Sequence, residues 1–217
     1  MCKFTIIILY QCILLAIYVP VKSQNTDIEL LTKLNSATPK ELRNYSVFVS
    51  GTTGVVAIST PLIIGITGFI QNNDQLKKDA LYIGTSIGLG SILTLGMKRS
   101  FQRDRPYISY PDLIFPYESL SSYSFPSGHT SLAFSTATAL SLKYPKWYVI
   151  VPSYFWACSV GYSRMNLGVH YPSDVLGGAV VGIGSAFISF KLNEWWWKKQ
   201  KEPKPIQHFP NVSLVPK

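Results

Sequence analysis

Charge is what this chain has least of. Only 14% of its 217 residues are Asp, Glu, Lys or Arg, against about 25% in ordinary soluble domains. Acidic residues are the scarcer sign, eleven against twenty basic ones, for a formal charge of +9. Cysteine is rare too. Cys2, Cys12 and Cys158 all lie in apolar segments, and their spacing supports neither a disulfide framework nor a metal site. No nucleic-acid-binding motif is present, so the basic excess is read as loops facing the cytoplasm and anionic headgroups. No internal repeat at a fixed period is visible.

Apolar residues fill the space, at 47% of the chain. Residues 1–23 carry one early lysine, Lys3, and an apolar run from Phe4 to Val19, closed by Val21-Lys22-Ser23. That pattern fits a cleaved signal peptide and a retained first transmembrane helix alike. Leu9 and Cys12 are spaced as in a lipoprotein signal, but Tyr10 and Gln11 are the wrong size before the cysteine. Residues 24–44 are polar. Ile28, Leu31 and Leu34 recur every three residues, which predicts a short amphipathic helix over Asp27–Leu34. Thr38, Pro39 and Glu41 predict the start of another, with Thr38 as cap and Pro39 in the first turn. This stretch is expected to be a surface connector near the membrane.

Five further apolar runs follow within residues 45–197. Tyr45–Ile70 is uncharged over its whole length, enough to cross a bilayer core of about 30 Å at roughly 1.5 Å per residue. Ala80–Met97 is the second. Thr130–Leu142 and Trp147–Tyr162 are shorter, and Val175–Phe190 is the last, before Trp195-Trp196-Trp197. Residues 198–217 form a basic tail with four prolines, expected to be disordered. The expectation is an all-α integral membrane bundle of five to six helices. Lys3, Lys77/Lys78, Lys143/Lys146 and the Lys198–Lys201 tail fall on one side, the cytoplasm by the positive-inside rule. Arg99, Arg103, Arg105 and Arg164 sit against that rule on the other side, where a site needing cations would explain some of them.

That other side also collects three polar islands. The first is Lys98, six residues, then Arg105-Pro106; a continued helix would align the two cations on one face. The second is Phe125-Pro126-Ser127-Gly128-His129-Thr130. Gly128 allows close backbone approach, and a helix starting there offers N–H groups and its dipole to an anion. The third is Ser163-Arg164, His170 and Asp174. Each island alone has an ordinary structural reading: a headgroup-facing helix end, a helix cap, a packed loop histidine. Together they hold two arginines, a lysine, two histidines and an aspartate. Arginine forks and a lysine point charge suit phosphate oxygens. A histidine with a carboxylate partner suits nucleophilic attack. Between the first two islands, Tyr107, Tyr110, Phe115, Tyr117, Tyr123 and Phe125 mark a loop packed over the helix ends, or a lid that meets a lipid substrate.

The pattern Lys-x6-Arg-Pro, Pro-Ser-Gly-His, Ser-Arg-x5-His-x3-Asp resembles the three motifs of the type 2 phosphatidic acid phosphatase superfamily, which also holds vanadium haloperoxidases. The resemblance spans Lys98 to Asp174, with no departure at a motif position. It implies that His170 attacks phosphorus to form a phosphohistidine, with Asp174 orienting it. His129 would protonate the leaving oxygen and then activate water. Lys98, Arg105, Ser127, Gly128 and Arg164 would hold the phosphate. No metal and no other cofactor is implied. The expected function is a lipid phosphate phosphatase of the bacterial inner membrane, with its site facing the periplasm. Phosphatidic acid, phosphatidylglycerol phosphate, a polyprenyl diphosphate and a lipid A phosphate are the candidate substrates. A vanadium-dependent haloperoxidase and a nonenzymatic lipid-binding protein are the alternatives.

Overall fold

The computed structural model describes residues 23–36 and 38–201. The segment read as signal peptide or first transmembrane helix thus lies almost wholly outside the described residues. Seven helices follow one another: α1 (Ser23–Ser36), α2 (Lys40–Ile70), α3 (Asp74–Phe101), α4 (Pro106–Ser109), α5 (Gly128–Lys143), α6 (Trp147–Asn166) and α7 (Pro172–Lys201). No strand occurs among the described residues. Five of these helices are long, as the apolar runs predict, and each extends beyond its run into flanking polar residues.

Three segments, Lys40–Ile70, Asp74–Ser109 and Pro172–Trp197, are long and apolar enough to cross a membrane. Phe48, Val55, Phe69, Ile92, Phe155 and Val180 stand exposed on the outside of the bundle. In water such a surface would be costly; in lipid it is the solvated face.

The short helix α5 is the axis. It touches α2, α3, α6 and α7, and its buried positions are almost all small: Thr130, Ser131, Ala133, Ser135, Thr136, Ala137, Thr138 and Ala139. Small residues let backbones approach closely where lipid supplies no hydrophobic drive between helices. The partner side of α7 is cut back to match. A Cβ on Gly178 would lie 2.5 Å from the Ser127 carbonyl oxygen, and one on Gly182 would lie 2.8 Å from Ser135 N. Larger side chains fill the flanks. Val49, Val160 and the α5 alanines pack with Phe134, Tyr154 and Trp156. Tyr82 and Ile83 pack with Ala139, Ala186 and Phe190.

The two ends of the bundle differ. At one end Lys143 bonds to Asp79 at 3.2 Å, Lys77 to Asp74 at 3.0 Å, and Lys78 stacks on Trp197. At the other end lie the last turn of α3 and the starts of α5 and α7, with the α6–α7 loop between them.

Several expectations need correction. First, α3 does not continue to Arg105. It stops at Phe101, with Gln102 in the left-handed conformation at the C-cap. Lys98 and Arg105 therefore do not share a helix face, and Pro106 stands at the first position of α4. Second, α1 is not a surface connector. Leu31 is fully buried against Ile114 and Tyr171, because this face of α1 has the α4–α5 and α6–α7 loops to pack on. Pro39, not Thr38, takes the cap position of α2, and the Thr38 hydroxyl donates back to the Leu34 carbonyl at 2.6 Å. Third, α7 runs to Lys201, four residues into the segment read as a disordered tail. Residues 202–217 lie outside the described residues.

Candidate active site

His170 sits in the five-residue loop between α6 and α7, 2% exposed. Both ring nitrogens have partners. Nε2 lies 3.4 Å from Arg105 Nη1. Nδ1 lies 3.4 Å from Asp174 Oδ2 and 3.4 Å from Ser124 Oγ. A guanidinium can only donate. Nε2 must then be the accepting nitrogen, which places the ring proton on Nδ1, facing the carboxylate. The loop that sets this ring is tied at each side, since Val169 N donates to Arg164 O and Arg105 Nη1 donates to Val169 O at 2.8 Å. Burial holds the His170 ring far below the ordinary range for histidine, at about 3; the Asp174 hydrogen bond and charge oppose that only in part. The ring is neutral at neutral pH, with its lone pair on Nε2.

Asp174 is fully buried on the first turn of α7. Its Oδ2 accepts from Tyr171 N at 2.9 Å and from Ser124 Oγ at 2.5 Å; its Oδ1 accepts from Arg103 Nη1 at 2.7 Å. The carboxylate is thereby pinned at both oxygens, with Oδ2 left in reach of the imidazole.

The cations come from three elements. Lys98, on the last turn of α3, donates to the carbonyls of Tyr123 and Ser124. It ties the loop ahead of the second island to the helix. Arg105 is 2% exposed and bonds through Nε to Ser122 O at 2.8 Å and through Nη2 to Ser122 Oγ at 3.0 Å. Arg164, 1% exposed at the end of α6, donates to Ser50 Oγ of α2 and, at 2.9 Å, to Glu118 Oε1. Its Nε has no hydrogen-bond partner among the described residues.

The second island opens α5. Ser127 is the N-cap, its hydroxyl oxygen accepting from Thr130 N and, at 2.9 Å, from Thr130 Oγ1. Ser127 N donates to Asp174 O at 2.9 Å, which locks the start of α5 onto α7. Gly128 follows at the first helical position. His129 makes no hydrogen bond among the described residues. It lines a cleft of about 270 Å³ together with Arg164, Glu118, Ser50, Tyr117 and Leu167.

The structure thus brings all eight candidate residues to one end of the bundle: His170, His129, Asp174, Lys98, Arg105, Ser127, Gly128 and Arg164. Sequence reading missed four more. Ser124 and Arg103 hold Asp174, Glu118 holds Arg164, and Asp27 of α1 accepts from Arg103 at 3.1 Å. Only Arg103 left a signal, as a cation on the side where the positive-inside rule expects few. No group of three or more His, Cys, Asp or Glu able to hold a metal occurs among the described residues.

Comparison with known proteins identifies the family. Residues 79–198 match the model of the PAP2 superfamily. Undecaprenyl-diphosphatase BcrC of Bacillus subtilis is 28% identical over 139 residues, covering 64% of this chain and 70% of that protein. Lipid A 1-phosphatase of Rhizobium etli is 29% identical over 161 residues, covering 67% and 68%. The crystal structure of a transmembrane PAP2 type phosphatidylglycerolphosphate phosphatase from Bacillus subtilis superposes with a TM-score of 0.71 at 25% identity, over 90% of this chain and 98% of that one. With the matched segment covering more than half its length and the helical frame shared almost throughout, this chain belongs to the PAP2 superfamily, as a membrane-embedded phosphatase.

Proposed function

We propose that this protein removes phosphate from a membrane lipid phosphate, monoester or diphosphate, through a phosphohistidine on His170. The observation that carries the reading is the His170 ring itself. It is buried and neutral, with Nδ1–H turned to Asp174 and the Nε2 lone pair turned to Arg105. A nucleophile is activated when its far side is oriented by a base and its near side faces the electrophile.

His170 Nε2 attacks phosphorus in line with the leaving oxygen. The N–P bond forms as the P–O bond breaks, and the Nδ1 proton stays with the imidazolium facing Asp174. Burial and the neighbouring Arg164 hold His129, at the rim of the cleft, at about 4; it takes up a proton as the negative phosphate enters and gives that proton to the departing oxygen. The same ring then takes a proton from water, whose oxygen attacks phosphorus. The N–P bond breaks, inorganic phosphate leaves and His170 returns to its neutral state. Lys98, Arg105 and Arg164, with the N–H groups at the start of α5, oppose the charge on the equatorial oxygens. The three cations together supply the positive charge for that role.

The apolar outer surface and the basic opposite end support a lipid substrate and an inner-membrane location with the site on the periplasmic side. The relatives named above act, by their names, on undecaprenyl diphosphate, lipid A and phosphatidylglycerol phosphate; all three, with phosphatidic acid, belong in the substrate panel. The test is phosphate release by the full-length protein in detergent with EDTA, beside His170→Ala. The expected result is release that EDTA spares and that the substitution reduces by about four orders of magnitude or more. Release that survives in His170→Ala would sink the phosphohistidine route.

A further inference from the structure

The polar contacts around Asp174 do not end at Arg103. They run on to α1, an element outside the three motif islands. We propose that α1 is a positioning element of the transfer site and that it acts through Asp27. This inference rests on the phosphoryl-transfer reading of His170.

Asp27 is 7% exposed. Its Oδ1 accepts from Ser173 N at 3.1 Å. Its Oδ2 accepts from Ser173 Oγ and, at 3.1 Å, from Arg103 Nη2. The other arm of Arg103 donates to Asp174 Oδ1 and to Ser173 Oγ, both at 2.7 Å. The guanidinium plane lies over the Tyr171 ring, 3.9 Å from its centre. One arginine is therefore stretched between two buried carboxylates and stacked on the residue that follows His170. With Oδ1 of Asp174 taken by Arg103, only Oδ2 is left for the imidazole. Asp27 fixes Arg103, Arg103 fixes the rotation of the Asp174 carboxylate, and that rotation sets the nucleophile.

The helix carrying Asp27 is itself anchored. Asn35 Nδ2 donates to Phe115 O at 3.1 Å and Asn166 O at 3.0 Å, and its Oδ1 accepts from Phe115 N at 2.9 Å. Asn166 Nδ2 returns bonds to Leu34 O at 3.0 Å and Thr38 Oγ1 at 2.7 Å. Buried polar groups are costly unless paired. Here the bonds hold the C-terminal end of α1 and the residues after it against the end of α6 and the loop at Phe115. A helix that only connected segments would need none of them.

Residues that orient a reacting group through another typically affect rate by 10–100-fold when removed, with little effect on ground-state binding. The experiment compares full-length wild type with Asp27→Asn, Asp27→Glu and Glu29→Gln in detergent. Glu29 lies on the exposed face of α1, paired with Lys33. Two readouts are taken: steady-state phosphate release, and binding of vanadate and of inorganic phosphate by calorimetry. Vanadate reports transition-state geometry, inorganic phosphate the ground state.

Asp27→Asn is expected to lower kcat about 10-fold with KM within roughly twofold of wild type. Vanadate binding should weaken by a similar factor while phosphate binding holds. Asp27→Glu should recover part of both losses, and Glu29→Gln should match wild type. The proposal is overturned by an unchanged kcat and vanadate affinity in Asp27→Asn. It is equally overturned by a loss confined to KM, or by an equal loss in Glu29→Gln, which would mean that α1 merely needs to be intact. If the wild type releases no phosphate from any lipid, the phosphatase reading fails separately, and the vanadate comparison still decides the role of Asp27.

Discussion

The Arg164 guanidinium is already occupied by a carboxylate of the protein: Nη2 lies 2.9 Å from Glu118 Oε1. Arg164 is buried, whereas the Glu118 side chain is 42% exposed. One partner is fixed and the other can swing away. In the proposed mechanism a phosphate oxygen takes the same fork, so the substrate displaces this carboxylate. Glu118→Gln keeps the shape and removes the competing charge. A half-exposed pair of this kind is worth about 1 kcal/mol, so KM for the lipid phosphate should fall roughly fivefold. Inorganic phosphate should inhibit at correspondingly lower concentration. A rise in KM would mean instead that Glu118 is needed to aim Arg164.

Ser124 is the residue nearest to Asp174 that no motif names. Its hydroxyl donates to Oδ2 at 2.5 Å and stands 3.4 Å from His170 Nδ1. A hydrogen bond to a charged group contributes about 1.5–3 kcal/mol. Ser124→Ala should lower kcat by about 10-fold or more. Single-turnover phosphate release, which isolates the chemical step, is the measurement that checks it.

The contact between α7 and the start of α5 leaves no room at Gly178. An added methyl group would meet the Ser127 carbonyl oxygen at 2.5 Å and Thr130 Cβ at 3.0 Å. The helices would have to part, at about 1–3 kcal/mol, and the displaced backbone is the one that presents Ser127 and Gly128. Gly178→Ala should lower both the unfolding temperature in detergent and kcat/KM. Gly184, on the same helix with open space around it, is the control; alanine there should be neutral or mildly stabilising. Equal behaviour of the two variants would rule out this packing account.

The neutral, buried state of His170 makes stability depend on pH. The ring titrates at about 3 in the folded protein and near 6.5 when unfolded. Between those values the unfolded chain binds the proton and the folded one does not, so acid favours unfolding. The contribution is fully present above about pH 6.5, is lost as pH falls towards 3, and changes no further below that. Unfolding temperatures at pH 7.5 and 4.5 should therefore diverge more in wild type than in His170→Gln. Parallel shifts in the two proteins would show that the folded ring is not held neutral.

Much of this molecule was legible in the chain as written. The uncharged runs predicted the long helices, because a bilayer admits only backbone that satisfies its own hydrogen bonds. The three islands named the groups a phosphate needs, because residue chemistry does not depend on the fold. Ser127 could be read as a cap because capping is local, within three residues of chain. The sequence by itself thus determined the class of structure and the inventory of candidate groups, which the fold gathers at one end of the bundle.

Tertiary structure decided what those groups touch. Nothing in the spacing of Lys98 and Arg105 says that α3 stops at Phe101, since that depends on a left-handed Gln102. Asp27 meets Ser173 across 146 positions of chain, and Arg164 meets Glu118 across 46. Periodicity reports only neighbours within a few turns. A polar connector and a docked, site-bearing helix carry the same three-residue apolar repeat; only the loops that cover Leu31 distinguish them.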